Sequence, residues 1–568
     1  GPFAVTPPGE DVYRVSLAED REGRIWVVWG AKSRANWDIF ARPFGPKGFG
    51  KKLRISTSDL PDTFPVATTD SEGRVWIAWQ GFRNGESDIF ACRQEGKEFG
   101  KAITICDRPG NQWTPAVAAS KGGEVAFLWD TYEKGDYDVY LRIWHQGRLG
   151  KITPVATSDY GEMRPSCCFD PKGRLWIAYE KTPPLWGKDW GALEKEGVPL
   201  YQQRSLEVRI FAKGKLFAPA QKAETIFGAG VGRRRGRPFW RRKLALPRIA
   251  CGPDGTIYLA CRIPQRANRS PVGTVWLEYI TWYRESYWHG PVVCPNTDNL
   301  LDKRPSLVPR PNGGVFVITS SDGRWDLSGR LPWYLQRQLR KKGVKLKALP
   351  RPRPYPDPAN NELTLCVLDL PLSKEVKPKL IPVPIPKQGS PSDLTIAERN
   401  AVARLRNARL TYNGAQLRLL RGEFHRHTEI SSDGGGDGLL MDMWRYALDV
   451  AALDWIGNGD HDNGGGREYS WWLIQKTTDL FTVRESFTPV YSYERSCRYP
   501  DGHRNVVFSK RGVRPLPRLR GGAGKPMDDL PEDAPRPPSP DTQLLYRYLA
   551  FFDGICASHT SATDMGTD

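Results

Sequence analysis

Short bursts of alternating apolar and polar residues fill the first two-thirds of the chain, and the bursts recur. Gly23-Arg24-Ile25-Trp26-Val27-Val28-Trp29 is followed fifty residues later by Gly73-Arg74-Val75-Trp76-Ile77-Ala78-Trp79, then by Gly123 to Trp129 and Gly173 to Tyr179. Asp38-Ile39-Phe40, Asp88-Ile89-Phe90 and Asp138-Val139-Tyr140 keep the same period. So do Pro65, Pro115 and Pro165, each eight residues before a repeat glycine, and that offset extends to Pro247 with Gly255 and Pro305 with Gly313. Six units result. Each predicts four short strands, in the second unit at about 65–69, 74–79, 88–93 and 102–106, where β-branched and aromatic residues alternate between Asp/Gly turns. Four strands per ~50 residues, repeated, predict a β-propeller whose blades stack to bury their apolar faces.

Six blades are favoured, with Phe3-Ala4-Val5-Thr6 as an outermost strand closing the ring on the sixth unit; seven blades are the alternative. The repeat resembles propellers of the sialidase-like and TolB-like type. The resemblance implies architecture and not activity, because a full Asp-box, an arginine triad and a nucleophilic Tyr are missing. Three insertions, 180–206, 220–246 and 320–360, are expected to crowd one face of the disc. They carry two basic runs, Arg233 to Lys243 and Arg337 to Arg353, which suit either an anion-attracting rim or a surface against which the next domain docks.

The pattern changes after residue 370. Residues 371–391 are rich in Pro and Lys and read as a linker. A connecting helix is expected from about Thr395, with Thr395 and Glu398 as a capping box. Then comes Gly422-Glu423-Phe424-His425-Arg426-His427-Thr428-Glu429-Ile430-Ser431-Ser432-Asp433-Gly434. His425 and His427 fall on one face of an extended strand and can chelate one ion, and Asp433 follows in a Gly-rich loop. A helix over about 438–452 and a strand over 453–457 ending at Asp460-His461 complete a βαβ unit, whose ligands gather at the carboxyl ends of the strands.

These motifs, with Tyr493-Glu494-Arg495-Ser496, Gly502-His503-Arg504-Asn505 and His559-Thr560, resemble the PHP (polymerase and histidinol phosphatase) family of metal-dependent hydrolases, and more closely its DUF3604 branch. The resemblance covers about 421–568. It implies a distorted (β/α)7 barrel and two or three divalent ions, Zn, Mn or Fe. His425, His427, Asp433, His461, Glu494, His503 and His559 would be the metal ligands, and Glu494 would bridge. Arg504, with Arg495, would neutralise an anionic substrate group, and Asp460 joins the catalytic set. The implied reaction is hydrolysis, commonly of phosphate esters. The family's late Asp-x-His motif does not occur before Asp568, and about 148 residues are fewer than a complete barrel needs, so an incomplete barrel is expected.

Composition sharpens this reading. The chain of 568 residues has a net charge of +19, which invites a nucleic-acid reading. Residues 421–568 hold 17 basic and 22 acidic side chains, a net of −5, so the excess lies in the propeller and nucleic acid becomes an unlikely partner. Five of the 7 His lie between His425 and His559. Ten scattered Cys make no disulfide scaffold, and no stretch approaches the ~20 apolar residues of a membrane span. The chain starts at Gly1 without Met or a signal pattern and stops abruptly at Asp568, as a fragment would. An exported or periplasmic location is in keeping with propellers of this kind. The expected organisation is a propeller over 1–370, a linker and helix over 371–420 and a metallohydrolase domain over 421–568. The propeller would bind a small-molecule or glycan-linked anionic substrate, or a protein on its face. The alternative is a non-catalytic glycan- or protein-binding propeller with a vestigial metal site.

Overall fold

The computed structural model describes residues 2–33, 36–188, 198, 200, 204–227, 231–234, 237–240, 243–266, 274–299, 304–324, 339, 341–343, 361–374, 377–431, 438–462, 468–497, 501–517 and 540–559. Six antiparallel sheets follow one another along the chain in a propeller-like arrangement. Their inner strands are Val12–Glu19, Asp62–Thr69, Gln112–Ala119, Gly161–Phe169, Ala245–Cys251 and Ser306–Pro309. Neighbouring blades bury apolar faces against each other. Trp26, Val28, Ile39 and Ala41 of the first pack on Val75, Ile77 and Trp79 of the second. Full burial of one such side chain contributes roughly 1.5–3 kcal/mol.

The repeat markers have separate physical causes. The repeat glycine sits in a left-handed turn (φ +72° at Gly23 and Gly73), and a Cβ on Gly73 would lie 2.4 Å from Cβ of Arg21 in the preceding blade. Three residues earlier an aspartate closes the same turn. Asp20 accepts from the backbone N–H of Glu22 and Arg24, from Arg24 Nε and from Trp26 Nε1. Asp70 and Asp170 repeat the bonds to Trp76 and Trp176. The repeat proline marks a β-bulge. The residue before it has positive φ (Phe64, Thr114, Arg164, Leu246), and the strand register shifts there. A bulge leaves one residue outside the ladder, which suits a residue lacking N–H. Asp38 and Asp138 are buried in the third strands and do not hold turns.

Two expectations about the edges change. Val5 accepts a hydrogen bond from Arg42 at 2.8 Å, as Ile105 of the second blade does from Arg142 of the third. The segment therefore occupies an outer-strand position beside blade one. It forms no ladder among the described residues, because Pro2, Pro7 and Pro8 flank it and supply no donors. The linker supplies a strand, Leu380–Val383, which pairs with Lys215–Pro219 and extends the fourth blade. The connecting helix is Asp393–Asn407 and starts before the expected Thr395; its N-cap is Ser392, whose hydroxyl accepts from Thr395 N–H.

The C-terminal unit is small and mixed. Gly422–Arg426 runs parallel to Trp455–Asn458, and bridges at Gly457–Val490 and His461–Glu494 place Tyr491–Ser496 parallel alongside. His503–Phe508 and Gly554–His559 then pair antiparallel. The described residues do not form the expected (β/α)7 barrel. The connection between Ser496 and His503 is too short for a crossover helix, so the chain must return antiparallel. The expected helix over 438–452 is α-helical over Leu440–Arg445 and continues as a π-turn over Tyr446–Val450.

This helix docks on the propeller axis. Leu440, Met443, Trp444 and Val450 share one buried cluster with Phe64, Trp113, Tyr137, Met163 and Leu246 of four blades. Asp442 pairs with Arg164 and Arg204, both of which also hold Glu180 at 2.8 Å. Arg445 pairs with Asp130 and stacks over Trp113. Asp449 accepts from Trp113 Nε1 at 2.7 Å, Tyr137 Oη at 2.6 Å and Asn111 Nδ2 at 2.8 Å. In the first insertion, Lys188 reaches Glu398 at 2.6 Å and the Val450 carbonyl at 3.1 Å, so its described part serves docking. The basic runs at 233–243 and 337–353 lie almost entirely outside the residues whose side chains are described.

Candidate metal centre

Five histidines and one glutamate converge at one end of the C-terminal strands. His425 and His427 flank Arg426, which turns the other way to pair with Glu423 and stack on Tyr446. This is the alternation expected of an extended strand. His461 follows the second parallel strand, and Glu494 lies in the third. His503 and His559 face each other across the antiparallel pair.

Glu494 is the centre of the arrangement. Its Oε2 lies 3.2 Å from His427 Nε2 and 3.0 Å from His461 Nδ1, and its Oε1 touches His503 Nδ1. Two groups of donor atoms lie within 4.8 Å of one another, His425–Glu494–His559 and His427–His461–Glu494. Glu494 is fully buried, and burial alone would favour its neutral form; the hydrogen-bonding imidazoles outweigh that and hold the carboxyl far below its usual range. His559 shifts down through burial and through the adjacent His425. His425 Nε2 and His427 Nε2 face each other at 3.2 Å, with both rings beside the same carboxylate. Imidazole nitrogens aimed at one another around a buried carboxylate are donor types that could hold a divalent ion.

Surrounding residues set the rings. Asn505 Oδ1 lies 2.8 Å from His425 Nδ1, which fixes Nδ1 as the protonated nitrogen and turns Nε2 inward. Ser496 Oγ contacts His461 Nδ1. A Cβ on Gly459 would lie 2.8 Å from the His425 carbonyl carbon, so the strands approach this closely only with glycine there. The loop after His427 is anchored by the propeller. Trp276 Nε1 donates to the Glu429 carboxylate, and Thr274 N–H donates to the Glu429 carbonyl at 2.7 Å. Asn505 stands inside a motif legible in the sequence, whereas Glu429, Trp276 and Gly459 gave no sequence signal.

Three expected site residues stand elsewhere. Asp460 is buried away from the imidazoles. Its carboxylate accepts from Thr428 N–H and O–H, Ser431 N–H and Asn458 Nδ2, so it shapes the histidine loop and is not placed for chemistry. Arg504 points to the opposite side of its strand from His503 and donates to the carbonyls of Asp501 and Gly502. Arg495 is buried in a bidentate pair with Asp541. Neither arginine faces the cluster. Asp433 lies outside the described residues.

No protein-family model and no curated protein matches the chain. Among solved structures, it is similar to a protein of unknown function from Dyadobacter fermentans (11% identity, TM-score 0.38, covering 56% of this chain and 92% of that one). It is similar to an ulvan lyase (10%, 0.40, 55% and 79%) and to a Penicillium chrysogenum α-L-arabinanase (13%, 0.34, 55% and 89%). Likeness at this level bears on neither activity nor substrate. No described helix is long and apolar enough to cross a membrane.

Proposed function

We propose that this chain is a metal-dependent hydrolase, with phosphate esters as its substrate class, and that residues 421–568 belong to a PHP-type unit mounted on a propeller over 1–370 through the 371–420 segment. The observation that carries the reading is Glu494, a buried carboxylate shared by two imidazole groups. His425, His559 and Glu494 would hold one divalent ion, and His427, His461 and Glu494 a second. His503, in contact with the other Glu494 oxygen, completes the surround. When bound, such ions lower the pKa of water toward ~7 and clamp the oxygens of a transferring group.

The chain's own residues do the rest. Asn505 and Ser496 orient His425 and His461, Asp460 holds the 428–431 loop, and Trp276 ties that loop to the propeller. With its axial face covered by the C-terminal helix, the propeller acts as a scaffold for the centre. The preference for phosphate esters rests on the family resemblance of the ordered His-x-His, Asp-His, Glu and His motifs.

The test is metal content by mass spectrometry after equilibration with Zn, Mn or Fe, with p-nitrophenyl phosphate turnover measured alongside. Two ions per chain, reduced to one or none by Glu494→Gln, with turnover abolished by His425→Ala, is the expected result. A protein that binds no metal, or turnover indifferent to His425→Ala, overturns the reading.

A further inference from the structure

The fifth and sixth blades meet across a small apolar interface. Tyr258, Ile280 and Cys294 of the fifth form one buried cluster with Val315 and Val317 of the sixth, against which Leu307, Cys366 and Leu368 pack. Cys294 directly follows the outer strand of the fifth blade, Tyr287–Val293, and its N–H donates to the Glu278 carbonyl at 2.9 Å. Cys366 stands in the third strand of the sixth blade, Glu362–Leu368, opposite Val317. Strand alternation aims Cys366 at the fifth blade, because its neighbours Leu365 and Val367 face the other way and are 57% and 48% exposed. The fold thus brings one thiol to each side of the same contact.

The two thiols are hydrogen-bonded to one another. Cys366 Sγ also lies 3.5 Å from the carbonyl oxygen of Pro295, the residue after Cys294. Two cysteines can be bridged where their side chains already point at one another. Their contact separates their acidities. The Cys294 thiol shifts Cys366 down, whereas Cys366 and burial shift Cys294 up. The partly exposed Cys366 therefore suits the attacking role, and the buried Cys294 the resolving one. Other interblade cysteines are held as thiols. Burial pushes Cys92, Cys168 and Cys261 up, and Cys251 up to about 12.

We propose that Cys294 and Cys366 form a redox clamp, oxidised by a small-molecule disulfide to one interblade disulfide that fastens the sixth blade to the fifth, independently of the histidine cluster. The Cys366 thiolate attacks one sulfur of the small disulfide, and the S–S bond breaks. One small thiol leaves with the proton of Cys366, and a mixed disulfide remains on the protein. Cys294 then loses its proton and attacks the Cys366 sulfur, which releases the second small thiol. The protein pair gives up two electrons and two protons, and the small disulfide takes up both. The bond closes a loop of about 70 residues, and closing a long loop restricts the unfolded chain most. Among the described residues, the opposite face of the sixth blade leaves Val308, Leu365 and Val367 exposed, so its packing rests on the fifth. An oxidising compartment closes the clamp and a reducing one opens it.

The test uses the full chain, reduced, freed of metal by chelator and equilibrated in a series of oxidised-to-reduced glutathione ratios. Free thiols are then alkylated and peptides mapped by mass spectrometry. A cross-linked pair containing Cys294 and Cys366 should appear as the ratio rises, with two of the ten thiols lost. The melting midpoint of the parent should rise by ~5 °C on oxidation, and that of Cys366→Ser should not move. Glutathione retained only as a mixed disulfide, or a cross-link confined to other cysteines such as Cys168 and Cys251, overturns the proposal. So does a Cys294–Cys366 bond that leaves the midpoint unchanged. The peptide map of the parent decides the pairing even where Cys366→Ser fails to fold.

Discussion

Arg164, in the inner strand of the fourth blade, and Asp442, in the first turn of the helix on the propeller axis, form an ion pair with both side chains almost fully excluded from solvent. Arg204 and Glu180 close the pair into a ring of two cations and two anions. Removing one member of such a ring leaves a buried charge uncompensated, typically at about 3–5 kcal/mol. Asp442→Ala should therefore destabilise the whole chain by that order in urea unfolding, with blade and C-terminal probes shifting together. Separate transitions with an unshifted blade signal would show that the two parts fold independently.

Asp449 gives the same interface a pH dependence. Burial raises its carboxyl, against hydrogen bonds from Tyr137, Asn111 and Trp113, to about 6 from an ordinary 3.8. The folded state thus holds this proton more tightly than the unfolded state. Its contribution to stability is fully present below about pH 4 and is lost as pH rises through about 6, by at most ~3 kcal/mol. The difference between parent and Asp449→Asn unfolding free energies should follow that slope between pH 4 and 6 and be flat above it.

Gly459→Ala places a methyl group against the His425 backbone, 2.9 Å from its Cα. The neighbour is backbone and cannot rotate away, so the strand pair must part and carry His425 from Glu494. Metal affinity should fall at least tenfold while the blade signals in circular dichroism persist. Unchanged affinity would mean that His425 is not a ligand.

Glu429→Leu removes the acceptor for Trp276 and keeps the bulk. If the propeller positions the histidine loop, metal affinity should fall by about 10–100-fold, as for other residues that orient ligands. Glu429→Gln, which retains an acceptor, should recover most of the loss. Failure of Gln to recover affinity would assign the effect to charge and not to positioning.

Much of this was legible in the residues. The period of fifty exposed the blades, because each must place a turn glycine and a strand bulge at the same point of the same sheet. The order of histidines and Glu494 marked the cluster, since strand alternation alone puts His425 and His427 on one side. Asp460 and Arg504 misled for a local reason. Both stand inside the right motifs, yet Asp460 is drawn into the Thr428 and Ser431 bonds and Arg504 falls on the odd side of its strand from His503.

Local spacing is a short-range property, and it was enough to determine the blade repeat, the bulge prolines and the histidine motif. Contacts hundreds of residues apart carry no such spacing. Arg164 with Asp442 and Trp276 with Glu429 come together only when the blades assemble and the C-terminal helix covers their axis. The tertiary structure therefore decided that the propeller's axial face is an internal interface.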